Sequence, residues 1–282
     1  MCWQLTALGR LAVTTSLLPN QDAALSDYRE FPVPACLADH FLCVWTQAIL
    51  SPREHAHRVL PDGCIDIVFI NDEAPLVVGP WTDPFTATFA AGTTIVGVRL
   101  RPGYAPGVLG IPAAELLNRS MPLSVVWDRS KTEPFALVSC EQGLTARRLA
   151  LSKILSRTFA PASAPDRTVV SGMHWLARQP QGQVRELSRR MGISERQLHR
   201  RFATAVGYGP KMFQSVLRFQ RFLYLAERNN QHHALADVAA SVGYTDQPHM
   251  TREVGRFAGD CPTALPDSAK CTLRFCDLLC HP

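Results

Sequence analysis

One pattern constrains this chain more than any other: a short amphipathic helix, a glycine turn and a capped basic helix, written twice. In the first copy Val184, Leu187, Ser188 and Met191 form an apolar helical face, which Gly192 ends. Glycine tolerates the positive φ that such a tight turn needs. Ile193 plugs the space between the helices, Ser194 is a good N-cap, and Glu195 suits the positive end of the next helix dipole. Leu198, Phe202 and Ala205 make the buried stripe of that second helix, and Gly207 closes it. In the second copy Leu235, Val238, Ala239 and Val242 form the face. Gly243 is the turn, Tyr244 the plug and Asp246 the cap, with Met250 and Val254 in the places of Leu198 and Phe202. Gly192 to Gly243 is a shift of 51 and Leu198 to Met250 a shift of 52, so the second turn has one extra residue. A generic solvated surface does not repeat turn, cap and core stripe together.

Helix, glycine turn and capped basic helix is the helix-turn-helix pattern, and position on its second helix fixes role. With Leu198 and Phe202 inward, Arg196, His199 and Arg200 face outward, where a recognition helix meets base edges in the major groove of double-stranded DNA. Arginine there bonds guanine in bidentate fashion, worth about 1–3 kcal/mol of discrimination. In the second copy Gln247 and Arg252 are the base-reading candidates, with Arg252 in the place of Arg200. Arg189, Arg190, Arg201, Lys211 and Arg256 are better placed for phosphates. Between the copies Pro210–Arg228 reads as one helix of roughly 28 Å. Adding the turns puts the recognition helices roughly 34 Å apart, one turn of B-DNA. Charge agrees: residues 183–257 hold 12 Lys and Arg against 6 Asp and Glu, so the formal +5 of the 282-residue chain resides in this segment.

Residues 166–265 resemble the DNA-binding domain of AraC/XylS-type transcription regulators, two helix-turn-helix units joined by a long helix. The likeness rests on Leu187–Phe202 and Val238–Glu253, with Gly-x-Gly-Pro after the first unit and Cys261-Pro262 after the second. It implies that Arg196, His199 and Arg200 read one groove, that Gln247, Pro248 and Arg252 face the next, and that RNA polymerase is a partner. The second unit departs from the pattern. Pro248 cannot donate to a base, and Val254-Gly255 stands where the family has Phe-Lys, so a thinner core and weaker reading are expected there. A fainter resemblance, to a sensor-like domain often joined to this one, rests on Leu60-Pro-Asp-Gly63, Gly79-Pro80 and Arg99-Leu-Arg-Pro-Gly103.

The expected fold class is therefore α+β: a β-rich N-terminal domain over 1–130, a helical connector and linker over 131–165, an all-α domain over 166–265 and a tail over 266–282. Residues 1–30 show no clear period. Val59–Ile70 reads as strand, Pro-Asp-Gly turn, strand; Leu76–Pro80 and Thr93–Leu100 read as further strands, making a small barrel or sandwich. Helical stretches are expected near Cys36–Ala48 and Tyr104–Leu117. Leu144, Arg147, Leu151, Leu155 and Phe159 recur at helical spacing, with Leu149, Ala150 and Ile154 widening the face. That stripe must be covered, by the same chain or by a second copy, so the protein is a monomer or a homodimer.

Trp45, Trp81, Phe85 and Tyr104 are candidates to line an apolar effector pocket, with Arg99 or Arg101 pairing an anionic ligand; the plainer reading makes them core and surface. Asp66 is read as solvent-facing on an edge strand. No Gly-x-Ser-x-Gly, Walker, Gly-x-Gly-x-x-Gly or His-Glu-x-x-His motif occurs, so no catalytic residue and no cofactor is expected. Nine scattered cysteines without a CxxC pair read as reduced thiols. His55 and His57 near Cys64, and Cys276, Cys280 and His281, are weak metal sets; the expectation is no metal. No apolar run reaches the roughly 20 residues that span a bilayer. A cytoplasmic, non-membrane protein follows. The rival reading is an interaction module that has lost DNA binding.

Overall fold

The computed structural model describes residues 25–161, 163–228, 235–262 and 265, with the backbone of strands β1 (Cys2–Leu5) and β2 (Leu11–Thr14). Eight further strands follow: β3 (Ser26–Phe31), β4 (Phe41–Ile49), β5 (His55–Val59), β6 (Asp66–Ile70), β7 (Leu76–Val78), β8 (Phe85–Phe89), β9 (Thr94–Leu100) and β10 (Ser120–Pro122). They form two sheets, one of order β10-β7-β6-β9-β4-β3 and one of order β2-β1-β8-β5. Every pairing in the larger sheet is antiparallel, whereas β1 meets β8 in parallel.

The larger sheet is covered on both faces. Trp45, Val68, Ile70 and Ile95 look towards Phe85, Ala87 and Phe89 of the smaller sheet. Ile67, Phe69, Val96 and Val98 look towards a helical layer containing Val138, Leu151, Ile154 and Leu155. That layer is built from α1 (Ala105–Leu109), α2 (Leu123–Val126), α3 (Arg129–Thr132), α4 (Ala136–Cys140) and α5 (Leu144–Thr158). Burial on both faces explains one misreading. Cys36–Ala48 is not helical: only Ala35–Leu37 makes a 3-10 turn, and Phe41–Ile49 is a strand buried along almost its whole length. A continuous apolar run has no alternation, and periodicity cannot tell it from a buried helix.

Asp66 is likewise not on an edge. It pairs with Val78 of β7 on one side and Arg99 of β9 on the other, and its carboxylate is bound by Arg99 at 3.0 and 2.9 Å. At Pro61-Asp62-Gly63 the chain leaves one sheet for the other, because β5 pairs with β8 while β6 pairs with β7 and β9. Gly63 takes φ +80 there, and Asp62 Oδ1 accepts from the Cys64 amide at 2.9 Å. The stripe of α5 is satisfied within the chain, Leu151 and Leu155 being fully buried against the larger sheet, whereas Leu149, expected to widen that face, is exposed. Arg147, expected on or beside that stripe, is buried too. Its Nη1 donates to Thr94 Oγ1 at 3.0 Å, its Nε to the Val138 carbonyl at 3.2 Å, and its Nη2 to the Asn71 carbonyl.

From Arg167 onward the described elements are helices: α6 (Arg167–Arg178), α7 (Val184–Arg190), α8 (Glu195–Val206), α9 (Pro210–Arg228), α10 (Leu235–Val242) and α11 (Gln247–Ala258). Val169, Met173, Leu187, Leu198, Phe202, Phe213, Phe219, Val242, Tyr244, Met250, Val254 and Phe257 form their core. The helical domain is docked on the sandwich. Gln220 Nε2 donates to the Pro61 carbonyl at 2.8 Å, and Arg58 of β5 pairs with Asp260 beyond α11. Gly207 sits against Pro80 and Ala113, where a Cβ would lie 2.6 Å from the proline ring.

Candidate nucleic-acid interface

The first helix-turn-helix is α7 and α8. Leu187, Leu198 and Phe202 are fully buried, and Val184, Met191 and Ile193 are partly buried against them. Gly192 takes φ +67 and leads out of α7. The start of α8 is a reciprocal capping box. Ser194 Oγ accepts from the Gln197 amide at 3.2 Å, and Gln197 Oε1 accepts from the Ser194 amide at 3.0 Å. The spacing Ser194-x-x-Gln197 carries both halves of that box.

The second unit is α10 and α11. Val238, Val242, Tyr244, Met250 and Val254 are buried, Gly243 takes φ +94, and Asp246 caps α11 by accepting from the His249 amide at 2.7 Å. Pro248 lies in the first turn, where its missing N–H costs nothing. The thin core expected from Val254 is filled from the next turn: Phe257 is fully buried, its ring 5.2 Å from that of Phe219 on α9.

All ten expected DNA-facing side chains are exposed: Arg196, His199, Arg200, Gln247 and Arg252, and Arg189, Arg190, Arg201, Lys211 and Arg256. Their surroundings differ. Arg201 donates to Asp166 Oδ1 at 3.2 Å and to Thr168 Oγ1 at 2.9 Å, so part of its charge ties α8 to the start of α6. The His199 ring rests on Gly209, where a Cβ would come within 2.4 Å. His199, Lys211 and Arg256 line one open groove of about 520 Å³ between the two units, together with Gly209 and Pro210 at the start of α9. The positive end of a 19-residue helix thus faces the same space as these basic side chains, with Glu195 the one acidic residue of the lining. Arg200 and Arg201 line a second groove, shared with Gly103, Pro106 and Gly107 of the β-rich domain.

Sequence reasoning missed the strut that orients the second unit. Arg218 of α9 donates from Nη2 to Glu253 of α11 at 3.0 and 3.2 Å, and from Nη1 to the Pro180 carbonyl at 3.3 Å. Its guanidinium lies 5.4 Å from the Tyr244 ring centroid. Nothing in the spacing of residues 35 apart signals this pair.

In the β-rich domain a cavity of about 140 Å³ lies between the sheets. Trp45 and Phe85 line it as expected; Trp81 backs it, its ring centroid 4.0 Å from that of Phe85 and tilted by 35°, and Tyr104 packs elsewhere, against His40. Arg101 is turned away, donating to the Ala38 carbonyl at 2.5 Å. Arg99 lines the cavity but is held by Asp66, with Asp62 at 3.4 Å and Glu30 at 3.8 Å, so the expected pairing with an anionic ligand is not supported. His57 also lines it. Burial, and then the neighbouring His55, push His57 down to about 4, so its ring is neutral at ordinary pH. The rings of His55 and His57 are 6.2 Å apart, and among the described residues no group of three or more His, Cys, Asp or Glu is placed to hold a metal. Cys271, Cys276, Cys280 and His281 lie outside the described residues. Among the described residues no helix is long and apolar enough to cross a membrane.

Residues 187–267 match the family described as a helix-turn-helix domain, and residues 29–122 match a domain of unknown function. The C-terminal region is an AraC-type helix-turn-helix domain, the DNA-binding part of a transcription regulator. Among solved structures the chain is similar to apo ToxT from Vibrio cholerae, at 9% identity over 78% of this chain and 95% of that one, with a TM-score of 0.42. A second structure of ToxT from the same organism matches at 8% identity over 75% and 96%, with a TM-score of 0.39. The transcriptional regulator CdpR from Pseudomonas aeruginosa matches at 18% identity over 64% and 47%, with a TM-score of 0.26. A comparison with curated proteins finds no match.

Proposed function

We propose that this protein reads a specific double-stranded DNA sequence with α8 and α11 in successive major grooves, and that its β-rich domain holds a small-molecule effector. Arg196, His199 and Arg200 contact bases in one groove, Gln247 and Arg252 in the next. Arg189, Arg190, Arg201, Lys211 and Arg256 contact phosphates, and RNA polymerase is the downstream partner. The reading is carried by the paired units whose outward arginines are exposed while Leu198, Phe202, Met250 and Val254 are buried. The basic groove at the start of α9 suits the phosphate backbone between the two grooves. The first unit reads more strictly, because it offers three base-reading side chains against two.

The test is a duplex selected from random DNA, with binding measured at several salt concentrations. Binding should weaken steeply with salt, log K falling by about 0.9 per neutralised phosphate. Arg200→Ala should lose about 1–3 kcal/mol of specific binding and relax preference at one base pair. An unaltered affinity and base preference in this variant at matched salt would remove Arg200 from the interface. A protein that binds no duplex at low salt would favour the interaction-module reading.

A further inference from the structure

The inter-sheet cavity differs from an anion site, and that difference defines its ligand. Its wall is apolar over most of its extent: Val68, Ile70 and Ile95 from the larger sheet, Phe85, Ala87 and Phe89 from the smaller. The polar groups are few and their roles are determined by their neighbours. Gln47 Nε2 stands 3.3 Å from His57 Nδ1; an amide nitrogen only donates, so Nδ1 accepts and the proton of the neutral ring sits on Nε2. Three carboxylates, Asp66, Asp62 and Glu30, converge on the single Arg99 guanidinium. An entering carboxylate would be a fourth on one cation. Arg99 Nη1 is nonetheless buried and makes no hydrogen bond among the described residues. The cavity thus offers donors, from His57, Trp45 Nε1 and Arg99 Nη1, beside the Asp66 carboxylate that Arg99 holds, but no uncommitted positive charge.

We propose that this cavity binds a small uncharged molecule with an apolar, ring-sized body and one hydrogen-bond acceptor, a ketone, ester or ether rather than an acid. A volume of this order suits one aromatic ring with a short substituent; a protein cavity of about 150 Å³ takes benzene. A neutral carbonyl satisfies a buried donor without adding charge to the Arg99 cluster, and the aromatic walls bury the ring. The proposal rests on the reading of the β-rich domain as an effector-binding domain, and it adds the chemical class.

Three probes of similar size separate the classes: acetophenone, benzoate and benzylamine, titrated into the full chain by calorimetry and thermal unfolding. Acetophenone should bind saturably, at about 1 mM or tighter, and raise the unfolding temperature. Benzoate, a fourth carboxylate beside Asp66, should bind at least tenfold more weakly, and so should benzylamine, whose ammonium gives the unpaired donors no acceptor. His57→Leu should weaken acetophenone about five- to tenfold, the share of one hydrogen bond. Ala87→Leu, which fills the cavity from the smaller sheet, should abolish binding in a chain that still unfolds cooperatively. Benzoate or benzylamine binding as tightly as acetophenone, or no saturable binding by any probe to the parent chain, overturns the proposal. The effector reading fails separately: acetophenone that saturates the cavity in the presence of duplex, with no change in DNA affinity, would establish the ligand class and refute its coupling to DNA.

Discussion

Arg218 provides the sharpest test of how the second recognition helix is held. It is 9% exposed and bridges three elements: α9, on which it lies, α11 through Glu253, and the Pro180 turn before α7. Arg218→Ala removes two charge-assisted hydrogen bonds to Glu253 and leaves a carboxylate whose side chain is only 11% exposed. Breaking one partner of a buried ion pair costs about 3–5 kcal/mol. Glu253 keeps some solvent access, so the low end of that range, about 3 kcal/mol, is expected. Arg218→Met with Glu253→Leu replaces both charges by apolar groups and should recover about half or more of it, because no buried charge is then left without its partner. Denaturant unfolding of the parent, Arg218→Met, Glu253→Leu and the double variant gives the coupling energy, expected at about 1.5 kcal/mol plus the whole cost of Glu253→Leu alone. The DNA readout is directional. With its strut gone α11 loses orientation, so scrambling the half-site under Gln247 and Arg252 should no longer matter to Arg218→Ala, while scrambling the half-site under Arg200 still should. A cost below about 1 kcal/mol with additive single variants would refute the strut. So would an unchanged response to both scrambled sites.

Two further outcomes follow from single positions. Gly255 sits inside α11 with helical backbone, and a Cβ there would meet only the Asp260 carbonyl oxygen at 3.9 Å; Gly255→Ala should therefore stabilise the helical domain by about 0.5–1 kcal/mol, and a lowered unfolding temperature would count against the described packing. His57 titrates near 4 in the folded chain, chiefly through burial, against about 6.5 when unfolded. Between those values the unfolded chain binds the extra proton, so this contribution to stability is complete above about pH 6.5 and is lost as pH falls towards 4. His57→Leu should flatten that limb of the pH–stability curve, and an unchanged slope would show that His57 is not held neutral.

The helix-turn-helix units were legible in the sequence because their information is local. A glycine at the turn, an oxygen-bearing cap and apolar residues three and four apart specify each unit within about 20 residues, and the second copy repeats the pattern. Glycine turns at Gly192 and Gly243, caps at Ser194 and Asp246 and buried stripes through Leu198 and Met250 all follow from backbone geometry and one apolar face. What only the tertiary structure decided depends on residues distant in sequence. Phe41–Ile49 reads as a helix or a strand until both of its faces are seen to be covered. Asp66 looks like a surface carboxylate until β9 brings Arg99 beside it, and Arg218 has no visible partner until α11 returns across α9. The cavity, too, exists only because β5 and β6 enter different sheets on either side of Gly63, placing His57 opposite Arg99. Local patterning determines which elements form and which face each buries. Pairing between distant strands and helices determines which polar groups meet, and with them the charge balance of the site.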